Sequence, residues 1–463
     1  MENNFLSKKV PGFFSCRYGM SLILHFCNMV IVTQRVCLSL TMVVMVNNTQ
    51  SLTNVSSEAN PRSTMDPVYN WSPDIQGFIL SSNFYGALVV QIPIGYYSGI
   101  YSVKKIIACG LLLSSVCTLC TPLAAQVGAT LVIVCRVVQG MAQGTVLSGQ
   151  HQIWTRWAPP LEQGRLTTIS ASGAMLGPFI VLLVTGFICE LLGWISVFYI
   201  FGACGCVVCI FWLVVFYDDP KDHPCISNTE KNYITSSLAQ VSSSSVTTLP
   251  IKAMLQSLPV WAIAFCNFAI VWAHNFFITY NPIFINSVLD VNVRENGFLS
   301  GLPFLFAFII TILGGQMADF CLSRNIFSTI TVRKVFTTLG MVCPIVFSIC
   351  LLYLSFNFLS TVIFLILSQA TAFLALSGVN INVLDIAPRY YGFLRGVTTL
   401  TGMLGGMISS TIGGLILNAD PETPWYKIYL MIAAINGLAL VFYLIFAKAE
   451  IQNWAKDSQE TRL

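Results

Sequence analysis

The sequence predicts an all-α membrane protein: twelve transmembrane helices in a 6+6 arrangement, with cytoplasmic N- and C-termini. Composition is the first reason. Of 463 residues, 55% are hydrophobic and 9% are charged, and the mean hydropathy is +0.74, far from the values of soluble globular chains. The second reason is the recurrence of apolar windows long enough to cross about 30 Å of hydrocarbon. The third is charge placement. With the N-terminus inside, 18 of the 23 basic residues fall in the tails and connections on that side, against Arg62, Arg294 and Lys427 on the other; such an asymmetry sets orientation. The remaining two, Arg35 and Arg136, lie inside apolar spans.

A cytoplasmic tail, 1–17, precedes the first span at 18–46. No cleavable signal peptide is expected, because "MENNFLSKKVPGFFSCRYG" leads into a stretch long enough to remain as a helix. Windows at 76–98, 106–125, 129–151, 167–189 and 194–217 complete a first half, 18–217. The outer loop, 47–75, carries sequons at Asn47, Asn54 and Asn70. These are candidate glycosylation sites or parts of an unmodified polar loop. A polar stretch, 218–257, reads as a cytoplasmic linker. The second half, 258–447, has windows at 258–283, 299–320, 333–354, 359–381, 394–416 and 426–447, and 448–463 is a cytoplasmic tail. The 16 cysteines fall mostly within spans, where packing as small apolar groups is sufficient reason for them; Cys120 and Cys189 either pair near the outer ends or pack likewise. A net charge of +4, with no basic run beyond two residues, offers no nucleic-acid surface.

The halves echo one another. "GYYSGIYSVKK" follows the second window and "GQMADFCLSR" the eighth. Gly95 and Lys104 are nine positions apart, as are Gly315 and Arg324; Gly99 occupies the place of Asp319, and Lys105 completes the basic pair. Glycine permits close helix approach, and an acidic group pairs with arginine or accepts hydrogen bonds from a helix start. These residues form a candidate gating latch at the cytoplasmic mouth. Asp319 and Arg324 are either an ion pair or two charges in a wet loop. Small-residue runs at 170–179, "SASGAMLGPF", and 401–414, "TGMLGGMISSTIGG", allow backbones to approach, and Pro178 is placed to bend its span.

Arg35 and Arg136 are the candidate substrate-binding residues. Arg35 lies roughly 20 Å from the inner start of its span, and Arg136 roughly 10 Å from the outer start of an antiparallel one. The two depths match, so one cavity between them is expected. No acidic residue falls at the centre of a span; Glu190 and Asp385 come closest. A buried guanidinium needs an anion, backbone carbonyls or water. An anionic substrate is the expected counter-ion, since the guanidinium fork matches carboxylate and phosphate oxygens. The alternative is that helix carbonyls hold both arginines. Gln143 shares a helix face with Arg136 and is a neutral candidate. His274, in "AIVWAHNFF", is a further donor or a packed side chain.

With no central carboxylate, proton coupling lacks its usual titrating group. Sodium, the expected coupling ion, can bind hydroxyls, carbonyls and amides such as Asn83, Asn267 and Asn380, and membrane voltage alone also moves an anion. No metal-ligand cluster or cofactor motif appears. Four dispersed histidines, His25, His151, His223 and His274, argue against an enzyme. A transport-inactive receptor or scaffold is the other alternative.

At Arg35, "CRVVQGMAQG", "WAPPLEQGRL", "SGAMLGPF" and "LDIAPRYYGF", the chain closely resembles the anion-transporting family of the major facilitator superfamily. That family includes the type I sodium-dependent phosphate transporters, sialin and the vesicular glutamate transporters. The resemblance covers about residues 10–455 and implies that Arg35 and Arg136 bind or translocate anionic substrate. It further implies sodium-dependent phosphate entry or voltage-driven transport of urate and other organic anions, with chloride as a candidate modulator. Three departures matter: the vesicular and lysosomal relatives have a glutamate where Gln143 stands, and the glutamate carriers have a histidine at Leu80 and an arginine at Ile270. These departures weaken the alternative of a proton-coupled organic anion transporter of vesicular or lysosomal type. The resemblance also suggests the apical plasma membrane of epithelial cells.

The last five residues, "QETRL", match a PDZ ligand, with Leu463 and its carboxylate as the anchor and Thr461 adding selectivity. The alternative is a disordered polar tail.

Overall fold

The computed structural model describes residues 15–46, 67–97, 101–159, 162–242, 250–354, 357–420 and 422–456. The first half comprises α1 (Cys16–Met45), α2 (Pro73–Tyr97), α3 (Val103–Val127), α4 (Ala129–Trp157), α5 (Gln163–Leu192) and α6 (Trp194–Val215). Two linker helices follow, α7 (Asn228–Ser242) and α8 (Ile251–Leu255). The second half comprises α9 (Leu258–Leu289), α10 (Val293–Ser323), α11 (Thr329–Leu354), α12 (Phe358–Ala372), α13 (Leu374–Ile386), α14 (Tyr391–Ala419) and α15 (Pro424–Phe446). Counting α12 and α13 as one broken span, twelve spans result. Eleven are long and apolar enough to cross a bilayer by composition alone. The remaining one, α2, carries Gln76, Ser81, Ser82 and Asn83, all buried.

Helix starts and stops follow local chemistry. Gly193, at φ 81, turns the chain from α5 directly into α6, a backbone region that glycine enters without a Cβ penalty. The Asn292 side chain accepts from Glu295 N at 2.8 Å and caps α10. Pro178 sits within a continuous α5. The tenth span breaks at Phe373, whose ring packs on His274 at 5.1 Å. Large apolar side chains such as Val127, Leu191, Val207, Leu438 and Ile445 stay exposed, as lipid-facing positions require.

α1 begins earlier than expected, and Arg17 is therefore not a tail residue. It lies in the first turn, 1% exposed, between two carboxylates. Its Nε donates to Glu162 at 2.5 Å and its Nη1 to Glu230 at 3.2 Å. Glu230, on α7, also accepts from the Cys16 and Arg17 backbone N–H groups, each at 3.1 Å. A carboxylate thus satisfies the orphan donors of a helix start and ties the linker to the first half. In the second half, Arg333 on α11 donates to Asp385 on α13 at 2.7 Å.

The halves meet along two helix pairs, α2 with α14 and α5 with α10. Their close contacts lie toward the end away from the linker. A Cβ on Gly77 would stand 2.8 Å from Gly414 Cα, and one on Gly186 would stand 3.0 Å from Val293 O. Only glycine allows helices this near. Tyr85 and Thr411 share a hydrogen bond at 3.1 Å, and Arg294 reaches Glu190 at 3.7 Å. An apolar core crosses the halves here, with Leu38, Leu40 and Leu182 meeting Phe276, Phe277 and Phe304. At the linker end, Gly315, Gly392 and Gly396 have open space around them. The two halves are thus in close contact toward the far end.

Candidate anion site

Arg136 is 3% exposed, and its surroundings answer why α4 tolerates a charge. Its Nη1 donates to Gln139 Oε1 at 2.7 Å and to Gln34 O at 3.3 Å, and its Nη2 donates to Arg35 O at 3.1 Å. Gln139, one turn along the same face, is held by Thr118 at 2.8 Å. The Arg136 Nε is buried with no partner. Helix carbonyls therefore hold part of this guanidinium, as one of the two sequence readings allowed, while two of its five N–H donors, that on Nε and one on Nη2, are left over.

Arg35 differs. Among the described residues its guanidinium makes no hydrogen bond, and it lies over the Phe84 ring at 5.4 Å. Arg35 and Arg136 line one narrow cavity of about 20 Å³, so the matching depths read from the sequence correspond to real proximity. Ser39 and Phe84 add to the wall from the first half, and Asn275 and Thr279 from α9 of the second. The rest of the lining is apolar: Val36, Leu80 and Ile278. No lining residue is acidic. Two guanidinium groups thus face a small, mostly apolar space, where low local dielectric strengthens their pull on an anion.

Gln143 and His274 are not part of this wall. Gln143 donates to Ser114 at 3.1 Å and accepts from Asn83 at 3.2 Å, in a buried network that continues from Ser114 to Gln34 at 2.6 Å. Gln139, rather than Gln143, serves Arg136; the i+3 spacing pointed to it equally well. His274 contacts Gln369 at 2.9 Å and packs between Phe304 and Phe373. The amides suggested for sodium are dispersed: Asn83 bonds Gln143, Asn267 bonds Thr398 O, and Asn380 accepts from Arg395.

The echoed segments at the linker end are also rearranged. Asp319 and Arg324 are both exposed and form no ion pair; Arg324 lies over Phe320 at 5.8 Å. Two neighbouring charges in an accessible turn gain little from pairing. The open space around Gly315 shows no close helix approach there. The helix-start role falls instead to Asp218, which accepts from Lys104 N at 2.8 Å and from Ser102 Oγ. The Lys104 side chain lies over Tyr217 at 4.4 Å, and Lys105 is exposed. Gly95 lies in α2, whereas Gly99 is outside the described residues. Asn70 is exposed at the far end; Asn47, Asn54, Thr461 and Leu463 also lie outside the described residues. Cys120 and Cys189 form no disulfide with each other.

Gln34, Gln139, Asn275 and Thr279 escaped the sequence reading. Neutral polar residues are common in spans, and only packing separates those facing a cavity from those bonded within a half.

Twelve spans in two halves, bridged by two helix pairs around a central charged cavity, define a multi-pass membrane transporter. Residues 24–410 match the Major Facilitator Superfamily, and the chain belongs to that family. The sodium-dependent phosphate transport protein 1 of Mus musculus is 62% identical, and that of Homo sapiens 60%, with 100% of each chain covered. The probable small intestine urate exporter of Homo sapiens is 47% identical, covering 98% of this chain and 94% of that protein. A solved bacterial homolog of the human lysosomal transporter Spinster, in an inward-facing and occupied conformation, superposes with a TM-score of 0.70. It is 15% identical, with 96% of this chain and 99% of that one covered, and carries the fold alone.

Proposed function

We propose that the protein is a secondary active transporter of anions, carrying inorganic phosphate with sodium and moving urate or other organic anions under membrane voltage. The observation that supports this most is the cavity itself, where Arg35 has no hydrogen-bond acceptor among the described residues and Arg136 keeps an unpartnered Nε. An anion entering between them supplies the missing counter-charge. The names of the relatives, as sodium-dependent phosphate transport proteins and a urate exporter, point to the same substrates. No enzymatic step is needed.

Alternating access then consists of the halves rocking about the cavity, with the far-end glycine contacts opening as the linker end closes. The charge asymmetry of the sequence supports a cytosolic linker and cytosolic tails, and in this reading the far end faces outward with Asn70 as a candidate for glycosylation there. Chloride modulation and PDZ capture of Thr461 and Leu463 at an apical plasma membrane complete this reading. The neutral partners of Gln143 favour sodium or voltage over protons as the driving force. Purified protein in liposomes, with sodium, voltage and pH gradients imposed separately, tests it. Saturable phosphate uptake that rises with inward sodium is expected. Uptake driven only by inward protons at clamped voltage overturns it.

A further inference from the structure

Resting on the reading of the cavity as an anion site, we propose that Asn275 and Thr279 of α9 select which anions fit. Thr279 Oγ1 donates to an oxyanion oxygen, and Asn275 Oδ1 accepts from a proton that the ligand itself carries. The preferred ligands are then anions with their own O–H or N–H, such as hydrogen phosphate or a heterocyclic anion bearing N–H, over fully deprotonated sulfate.

The orientation of Asn275 follows from its partners. Its Nδ2 donates to Gly406 O at 2.8 Å, Ser409 Oγ at 3.0 Å and Ser410 Oγ at 2.7 Å. A carbonyl oxygen can only accept, so the nitrogen must face Gly406. Both serine hydroxyls also donate to Gly406 O, which leaves their lone pairs for the amide. The two amide hydrogens, shared among these three acceptors, pin the nitrogen side of Asn275 to α14, and Oδ1, on a residue of the cavity wall, has no partner among the described residues.

Thr279 stands one helical turn further along the same face. It is 6% exposed, lines the cavity, and has no hydrogen-bond partner among the described residues. Many threonines in these helices bond the carbonyl four residues back, as Thr41, Thr118 and Thr371 do, although Thr185 is buried without a partner. Thr279 keeps its hydroxyl for something else. The second half thus offers one donor and one acceptor to a cavity whose first half offers two guanidinium groups. A carboxylate or sulfate satisfies the donors but sets an oxygen against Asn275 Oδ1, and such a mismatch is costly in a desolvated site. Because Thr279 and Asn275 belong to the second half and the arginines to the first, the ligand would also join the halves.

Labelled phosphate uptake in liposomes, with sulfate as competitor, tests the idea. Sulfate is expected to inhibit wild-type uptake only at concentrations at least about tenfold above the phosphate KM. Thr279→Val should raise that KM roughly ten- to a hundredfold, while Thr279→Ser restores it; Asn275→Ala should narrow the gap between phosphate and sulfate. Sulfate competing as well as phosphate in the wild type overturns the proposal, even if either variant fails to fold. So does a folded Thr279→Val protein whose phosphate KM is unchanged, or one in which only the sodium dependence moves. Loss of the broader anion reading looks different, since no saturable phosphate or urate flux would then occur in the wild type.

Discussion

Replacing Arg35 and Arg136 separately by glutamine should separate binding from folding. Among the described residues Arg35 makes no hydrogen bond through its guanidinium, and it lies over the Phe84 ring at 5.4 Å, a contact worth about 0.5–1 kcal/mol. Arg35→Gln should therefore change the stability of the empty protein by no more than about 1 kcal/mol. Arg136→Gln strands three acceptors, Gln34 O, Arg35 O and Gln139 Oε1. At about 1 kcal/mol each, the loss is near 3 kcal/mol. For binding, a guanidinium about 4 Å from an anion at an effective dielectric near 20 contributes about 4 kcal/mol. Either substitution should then weaken phosphate affinity by roughly a hundred- to a thousandfold, the lower figure allowing for water that replaces the lost charge. Thermal unfolding of the detergent-purified protein without anion measures the first effect, and phosphate-dependent stabilisation with liposome uptake measures the second. A larger stability loss for Arg35→Gln than for Arg136→Gln would refute the assignment of their roles. Near wild-type affinity in a folded Arg35→Gln protein would refute the site.

Three further expectations follow from other parts of the fold. Glu230→Ala removes one of the two carboxylates that hold buried Arg17 and should loosen the linker by about 3 kcal/mol; amide exchange across 228–242 should accelerate, and unchanged exchange would count against the clamp. Gly77→Val places a side chain against Gly414 Cα, so a single cysteine introduced near the far end should become more reactive to an impermeant thiol reagent, whereas unchanged reactivity would show that this contact does not close the far end. Burial lowers the His223 pKa below its usual value, so the folded linker favours neutral imidazole. The associated stability is present above about pH 6.5 and is lost as pH falls through the depressed folded value. Protection against exchange in 220–242, measured relative to the intrinsic rate at each pH, should therefore fall on acidification, and His223→Gln should weaken that dependence.

The amino-acid pattern was sufficient for the architecture because a bilayer leaves few choices. Backbone groups in hydrocarbon must bond within their own helix, so long apolar windows become spans, and the scarcity of charges makes each exception conspicuous. Arg35 and Arg136 were legible for that reason, and so was their common depth, which needs only the rise of a helix. Neutral side chains behave differently. Gln139 and Gln143 look alike in sequence, as do Thr118 and Thr279, yet one member of each pair serves Arg136 or a neighbouring carbonyl while the other joins a separate network or faces the cavity. A hydroxyl or amide is satisfied by whatever lies within about 3 Å, and that depends on how helices distant in the chain pack. The same holds at the linker end, where an acidic residue at the second echo suggested a latch, but Asp218 and Glu230 reach the helix starts instead. Charge scarcity and span length are properties of the chain; the partners of a polar side chain are properties of the packed bundle.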